Sequence, residues 1–435
     1  MMTNGQATKK QATELRKNHQ YQQALPLYED LWTNHRAECD EWDGWGYAYC
    51  LRKLNRAREA LAVCKAVYKL KPEFSYNNSE YAWCLYELEV KKEAEQIKTN
   101  EGPFFKAASL IIKLVPQDKF SARAKAVLAV VDYLKSKNNV PANDIIDWLK
   151  QLDPATLSTE PFAFNDAEGK RRELASDQER WYANMTQALE QASQWQDCVA
   201  VCNRALDTIK TFHYDNNIWI RRRRAIAMAH LGQRDEALAE LEALLKTKKE
   251  WFIQHEIARL LFEAGRADEA LSYAIAAALN AGDADKKLEL FVLMGDILQS
   301  QGKPAEAQQH LALSYKLRQE QGWRVPPALQ QRITTAGVQV DQCPSSQDLL
   351  RTLRTTWQAL QRASRPRHTG SITQLSDSYG FITVESGASH YFRISEFHAT
   401  RNKLREGLRV TFALEPGYDR KKQQDTMNAV DVVPA

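Results

Sequence analysis

Small and apolar residues recur along most of this chain at the spacing expected of paired helices. Tyr21-Gln-Gln-Ala24-Leu-Pro-Leu-Tyr28, Arg56-Ala-Arg-Glu-Ala60-Leu-Ala-Val-Cys64 and Lys91-Lys-Glu-Ala94-Glu-Gln-Ile align on their alanines. Each of those alanines is preceded by another, Ala12, Ala48 and Ala82, and by a leucine, Leu15, Leu51 and Leu85. Small residues at these offsets let two antiparallel helices approach closely. A second array aligns on Cys198, Ala237, Ala270 and Ala307. Leu231-Gly-Gln-Arg-Asp-Glu-Ala237, Ala264-Gly-Arg-Ala-Asp-Glu-Ala270 and Gln301-Gly-Lys-Pro-Ala-Glu-Ala307 are nearly one phrase. The glycine is placed to end one helix in a left-handed cap, and the charged residues to open the next. Near the C-terminus the period becomes two, first in Tyr379-Gly380-Phe381-Ile382 and then in Tyr391-Phe392-Arg393-Ile394. That period predicts two strands joined through Ser386-Gly387.

The alanine arrays resemble the tetratricopeptide repeat, whose period is about 34 residues. Three units are expected over 8–100 and four over 177–335. Between them, 101–176 is punctuated by Pro103, Pro116, Pro141, Pro154 and Pro161. That stretch is expected to form an irregular helical connector, with a loop from Leu157 to Arg172. Residues 336–367 read as a linker and a last helix, with Leu349, Leu350, Leu353, Trp357 and Leu360 as its apolar stripe.

In the C-terminal strands, Gly380, Ile382, Val384, Phe392 and Ile394 turn one way, toward a core. Tyr379, Phe381, Tyr391 and Arg393 turn the other way. Exposed aromatics beside a cation are what single-stranded nucleic acid requires, because every base has a π-face to stack. The plainer reading is a cross-strand aromatic pair that stabilises the sheet.

Gly370-Ser-Ile-Thr-Gln-Leu, Tyr379-Gly-Phe-Ile, Tyr391-Phe-Arg-Ile-Ser-Glu-Phe, Leu404-Arg-Glu-Gly, Val410-Thr-Phe and Asn428-Ala-Val together resemble a cold-shock domain, a small barrel of OB type. The resemblance covers 368–433, in a barrel expected over 368–435, and implies binding of single-stranded RNA or DNA through Tyr379, Phe381, Tyr391 and Arg393. Three positions depart from the family pattern. Gln374 and Leu375 stand where the family has tryptophan and phenylalanine, and Arg393 stands in place of its histidine. The fold class expected is therefore mainly α, a tetratricopeptide-like solenoid followed by a small all-β barrel.

Charge narrows the partners. The 435 residues carry a formal net charge of +4, too mild for a protein that coats polyanions generally. Arg351, Arg354, Arg362, Arg365 and Arg367 precede the barrel and could extend a phosphate track; a solvated face is the plainer reading. In Arg221 to Arg224, four consecutive helical residues face four directions, so they do not make one patch. The seven cysteines lack metal-site spacing, and Cys198 and Cys202 read as small core residues. No phosphate-cradling glycine loop, H-E-x-x-H or G-x-S-x-G is present. No catalytic residue, metal or cofactor is expected. No apolar run approaches the roughly 18 residues of a membrane span, and the N-terminus is polar, so a cytoplasmic location is expected.

Trp42, Trp45, Tyr49 and Arg52 share one face of a helix whose core positions are Ala48 and Leu51. Tyr76, Trp83 and Tyr86 repeat that stripe in the next unit, and equivalent positions stack in a solenoid. The seven residues are expected to form a groove for a protein partner, the alternative being that they pack against the connector after residue 100. The function expected is an adaptor, with a protein partner on the solenoid and single-stranded nucleic acid, RNA ahead of DNA, on the barrel. The alternative is a protein scaffold whose barrel is structural.

Overall fold

The computed structural model describes residues 4–364, 366–419 and 424–435. It divides into two compact units, 1–240 and 241–435.

The N-terminal unit is built of antiparallel helix pairs of tetratricopeptide type. The first pair is Asn4–Lys17 with Tyr21–Asn34, and the second is Glu41–Lys53 with Ala57–Leu70. The alanines expected at the close approaches, Ala12, Ala24, Ala48, Ala60 and Ala82, have no solvent exposure. The third pair departs from the expected register. Helix Ser75–Leu85 runs into a π-turn, Tyr86–Val90, and Ala94 opens a helix of only six residues. Glu101–Leu114 is the longer helix that follows, burying Phe104, Ala107, Ala108 and Ile111. Arg123–Lys135 and Ala142–Leu149 come next, then Asp177–Gln191 with Trp195–Thr208, and Asn216–His230.

The stretch read as a loop from Leu157 to Arg172 holds most of a two-stranded hairpin, β1 (Phe162–Asn165) and β2 (Arg171–Leu174), which ends two residues beyond it. All eight residues are exposed, so neither strand carries the half-buried alternation that marks a strand in sequence.

The same turn recurs between the helices of a pair. At Gly232, Gly265 and Gly302, φ lies between 71° and 89°. The next amide reaches back to close the helix end, as in Arg266 N to Leu261 O at 2.9 Å. His19, Asn55 and Ser193 hold the same left-handed geometry at φ 56–61°, with equivalent bonds such as Gln194 N to Leu189 O at 2.9 Å. These three turns lack the glycine that announces the others.

Helix Arg234–Thr247 contains the division between the units. The C-terminal unit has the pairs Trp251–Glu263 with Ala267–Leu279 and Leu288–Ser300 with Pro304–Glu320, then helices Pro327–Thr335 and Ser346–Ser364. Trp357, on the last of these, is 1% exposed and stacks on Phe291. Strands β3 (His368–Leu375), β4 (Tyr379–Val384), β5 (Ser389–Arg393), β6 (Arg409–Asp419) and β7 (Gln424–Pro434) follow. They form one antiparallel sheet in the order β5-β4-β3-β6-β7. The sheet curls until its outer strands meet. His390 Nδ1 lies 2.9 Å from Met427 O, and Phe397 bridges Val432 just beyond β5. Ile372, Ile382, Phe392, Val410, Phe412 and Val432 fill the interior. Among the described residues, no helix is long and apolar enough to cross a membrane.

Candidate functional site

The outer face of β4 and β5 carries the four residues that the alternation singled out. Tyr379 pairs with Arg393 and Phe381 with Tyr391 across the two strands. The tyrosine rings are stacked at 5.7 Å between centroids, and the Phe381 ring stands edge-on at 5.9 Å from Tyr391 and 6.1 Å from Tyr379. Tyr379 is 36% exposed and Arg393 is exposed, while Phe381 and Tyr391 are half-buried. Among the described residues, no carboxylate pairs with Arg393. Gly380 allows this arrangement: a Cβ there would stand 2.6 Å from the Phe392 ring and 2.8 Å from Gln374 O. On β3 the aromatic face stops. A bulge between Ile372 and Gln374 sets exposed Gln374 opposite Phe381, and half-buried Leu375 packs on the core.

The arginines ahead of the barrel are largely engaged. Arg351 pairs with Asp348 at 2.6 Å, Arg362 with Asp431 at 3.1 Å, and Arg367 bonds Thr411 O at 2.8 Å. Arg365 lies outside the described residues. Asp431 also lies 3.3 Å from His398, and Glu396 is close enough that the three could share a cation. Arg362 already supplies positive charge there.

In the N-terminal unit, the seven predicted groove residues divide. Trp42 (49% exposed) and Tyr76 (53%) are open and lie 4.9 Å apart between ring centroids. Trp45 joins them, 5.4 Å from Tyr76, with the Arg16 guanidinium 4.5 Å above its ring. Half-buried Tyr49 meets Trp45 at 5.7 Å and Tyr21 at 5.9 Å. Arg52 is spent on carboxylates. Its guanidinium bonds Glu87 at 3.0 Å and both oxygens of Glu80, a side chain 4% exposed. Burial pushes the Glu80 carboxyl up despite Arg52. Trp83 and Tyr86 are half-buried against the core, and Trp83 Nε1 donates to Phe120 O at 3.2 Å. Burial pushes the Tyr86 phenol up.

The basic run is also neutralised. Arg221 and Arg224 each bond Glu240 at 2.6 Å, and Arg222 and Arg223 reach Glu190 at 3.2 and 3.4 Å. Cys198 and Cys202 are fully buried. Two features gave no sequence signal. One is a cavity of about 810 Å³ beside the hairpin, edged by Lys119, Lys125, Lys135 and Arg180. The other is a smaller cavity at Lys287 and Arg354.

Residues 218–355 match a family model described as a domain of unknown function, DUF7017. No curated protein matches the chain. Solved structures similar to it include a tetratricopeptide repeat protein from Parabacteroides merdae ATCC 43184, at 12% identity over 68% of this chain and 98% of that one, TM-score 0.38. YrrB, a TPR protein with an unusual peptide-binding site, is similar at 13% identity over 55% and 96%, TM-score 0.29. A structure of IFIT1 with m7Gppp-AAAA is similar at 12% identity over 74% and 70%, TM-score 0.37.

Proposed function

We propose that this protein is an adaptor that holds single-stranded nucleic acid on its C-terminal barrel, of cold-shock type, and a protein partner on its N-terminal helices. The observation that carries the nucleic-acid half is the cluster of Tyr379, Phe381 and Tyr391 on one face, with Arg393 unpaired by any carboxylate among the described residues. Three rings and a cation suit two or three stacked bases and one phosphate. Gln374 opposite Phe381 shortens the platform, so binding is weaker than a full aromatic face would give. The same glutamine favours the second reading, a barrel that only supports the scaffold. For the protein half, the support is the open pair Trp42 and Tyr76, since exposed aromatic clusters mark interfaces.

Fluorescence anisotropy with labelled single-stranded RNA and DNA tests the first half on the full chain. Saturable binding that the matching duplex does not compete supports it. No binding at low salt overturns it and leaves the scaffold.

A further inference from the structure

The C-terminal unit contains a cavity of about 280 Å³ at the end of helix Ala267–Leu279. One side of it is apolar. Leu279, Phe291, Leu350 and Trp357 line it, and Phe291 and Trp357 stack nearly parallel at 5.8 Å. Its charged groups are two cations, Lys287 and Arg354; Asn280 is its other polar side chain, and its amide is taken up by Lys249 O and Gln254 Oε1. Lys287 is 2% exposed, which for an ammonium demands compensation. It receives only part of that. Nζ donates to Asn280 O at 2.6 Å and Ala278 O at 3.3 Å, and it stands 5.8 Å from the Trp251 ring. Among the described residues, no carboxylate is within ion-pair distance of either cation. The nearest acidic influence on Lys287 is Asp283, which is itself held by Lys286 at 2.9 Å. Burial, and then the Arg354 charge, hold the Lys287 ammonium below the usual lysine range.

Helix capping explains the two carbonyl bonds of Lys287. It leaves unexplained a second cation at the same cavity and the absence of a counterion. We propose that this cavity binds a small carboxylate with an apolar body, the carboxylate between Lys287 and Arg354 and the body against Leu350, Phe291 and Trp357. A carboxylate presents two planar oxygens that accept the paired N–H bonds of a guanidinium fork. The volume lies just below the usual range of small-molecule sites, enough for a ring or a short chain. Inorganic phosphate would meet the charge but leave the apolar walls unfilled. The same chemistry occurs in a free carboxylic acid and in the C-terminal residue of a peptide.

Calorimetry on the full chain tests this with 3-phenylpropionate, its neutral amide, acetyl-Gly-Phe with a free C-terminus, and inorganic phosphate. We expect one or both acids to bind and to change tryptophan fluorescence, and the amide and phosphate to bind at least tenfold more weakly. Binding of 3-phenylpropionate assigns the site to free acids. Binding of acetyl-Gly-Phe alone assigns it to chain ends. Arg354→Gln, at an exposed position, should weaken binding tenfold or more while leaving the melt unchanged. Lys287→Met is the second variant, read only if its melt shows a folded chain. Equal affinity for acid and amide, an unchanged affinity in Arg354→Gln, or no binding at millimolar concentration would each overturn the assignment.

Discussion

Trp357 donates its indole Nε1–H to Nε2 of His310 at 2.8 Å, joining helix Ser346–Ser364 to helix Pro304–Glu320. The indole nitrogen is donor only, so His310 must accept there and carry its proton on Nδ1, which donates to Glu306 O at 2.7 Å. The fold therefore holds this histidine neutral. Burial lowers its pKa to about 4. An unfolded histidine takes up its proton near 6.5, so below that pH the unfolded chain binds more protons than the folded one. Stability is full above about pH 6.5 and falls as the pH drops toward 4, by up to about 3 kcal/mol. Urea unfolding at several pH values should show this slope, and His310→Gln should flatten it.

The left-handed turn at Ser193 has the geometry that Gly232, Gly265 and Gly302 adopt without a side chain. A β-carbon in that region costs roughly 1–2 kcal/mol, partly offset because glycine frees the unfolded chain. Ser193→Gly should raise stability by about 0.5–1 kcal/mol. Gly265→Ala should lower it. A lower midpoint for Ser193→Gly would contradict this account.

Arg52 holds the buried carboxylate of Glu80. Arg52→Met strips a buried charge of its partner and should cost about 3–5 kcal/mol. Adding Glu80→Met should recover much of that loss, because the pair is then replaced rather than broken. Equilibrium denaturation of the two variants decides it, and a double variant no better than the single would refute it.

On the barrel, Tyr379→Ala and Tyr391→Ala should each weaken single-strand binding by about 1–3 kcal/mol. Arg393→Ala should weaken it less at high salt and reduce the salt slope by about one ion. Anisotropy titrations across a salt series measure both, and affinity indifferent to all three changes would leave the aromatic face without this role.

In the N-terminal unit, Trp42 and Tyr76 are the exposed members of the aromatic cluster, so Trp42→Ala with Tyr76→Ala should change the melt by only a few degrees. Trp83→Ala should lower it further, because Trp83 packs on the core and bonds Phe120 O. If the open pair forms the partner surface, a cross-linking experiment will lose its captured protein in the double variant.

The helix pairs and the two-faced strands were written in the sequence because each depends on a local period. A helix pair needs a small residue wherever its axes approach, and Ala60 and Ala270 show this with no exposure at all. A strand with one wet face alternates, and so the sequence alone separates Tyr379, Phe381 and Tyr391 from Ile382 and Phe392. The hairpin at 162–174 leaves no such period because both of its strands are solvated and nothing forces them to alternate. The turns at His19, Asn55 and Ser193 leave no signal either, because the helices on either side impose the left-handed geometry there. What tertiary structure alone decided was the fate of charge. Arg52 found Glu80, Arg221 and Arg224 found Glu240, and Lys287 and Arg354 found no carboxylate among the described residues. Each outcome depends on which elements, distant in sequence, pack together, and no local pattern records the burial that makes one cation a structural tie and another a candidate binding group.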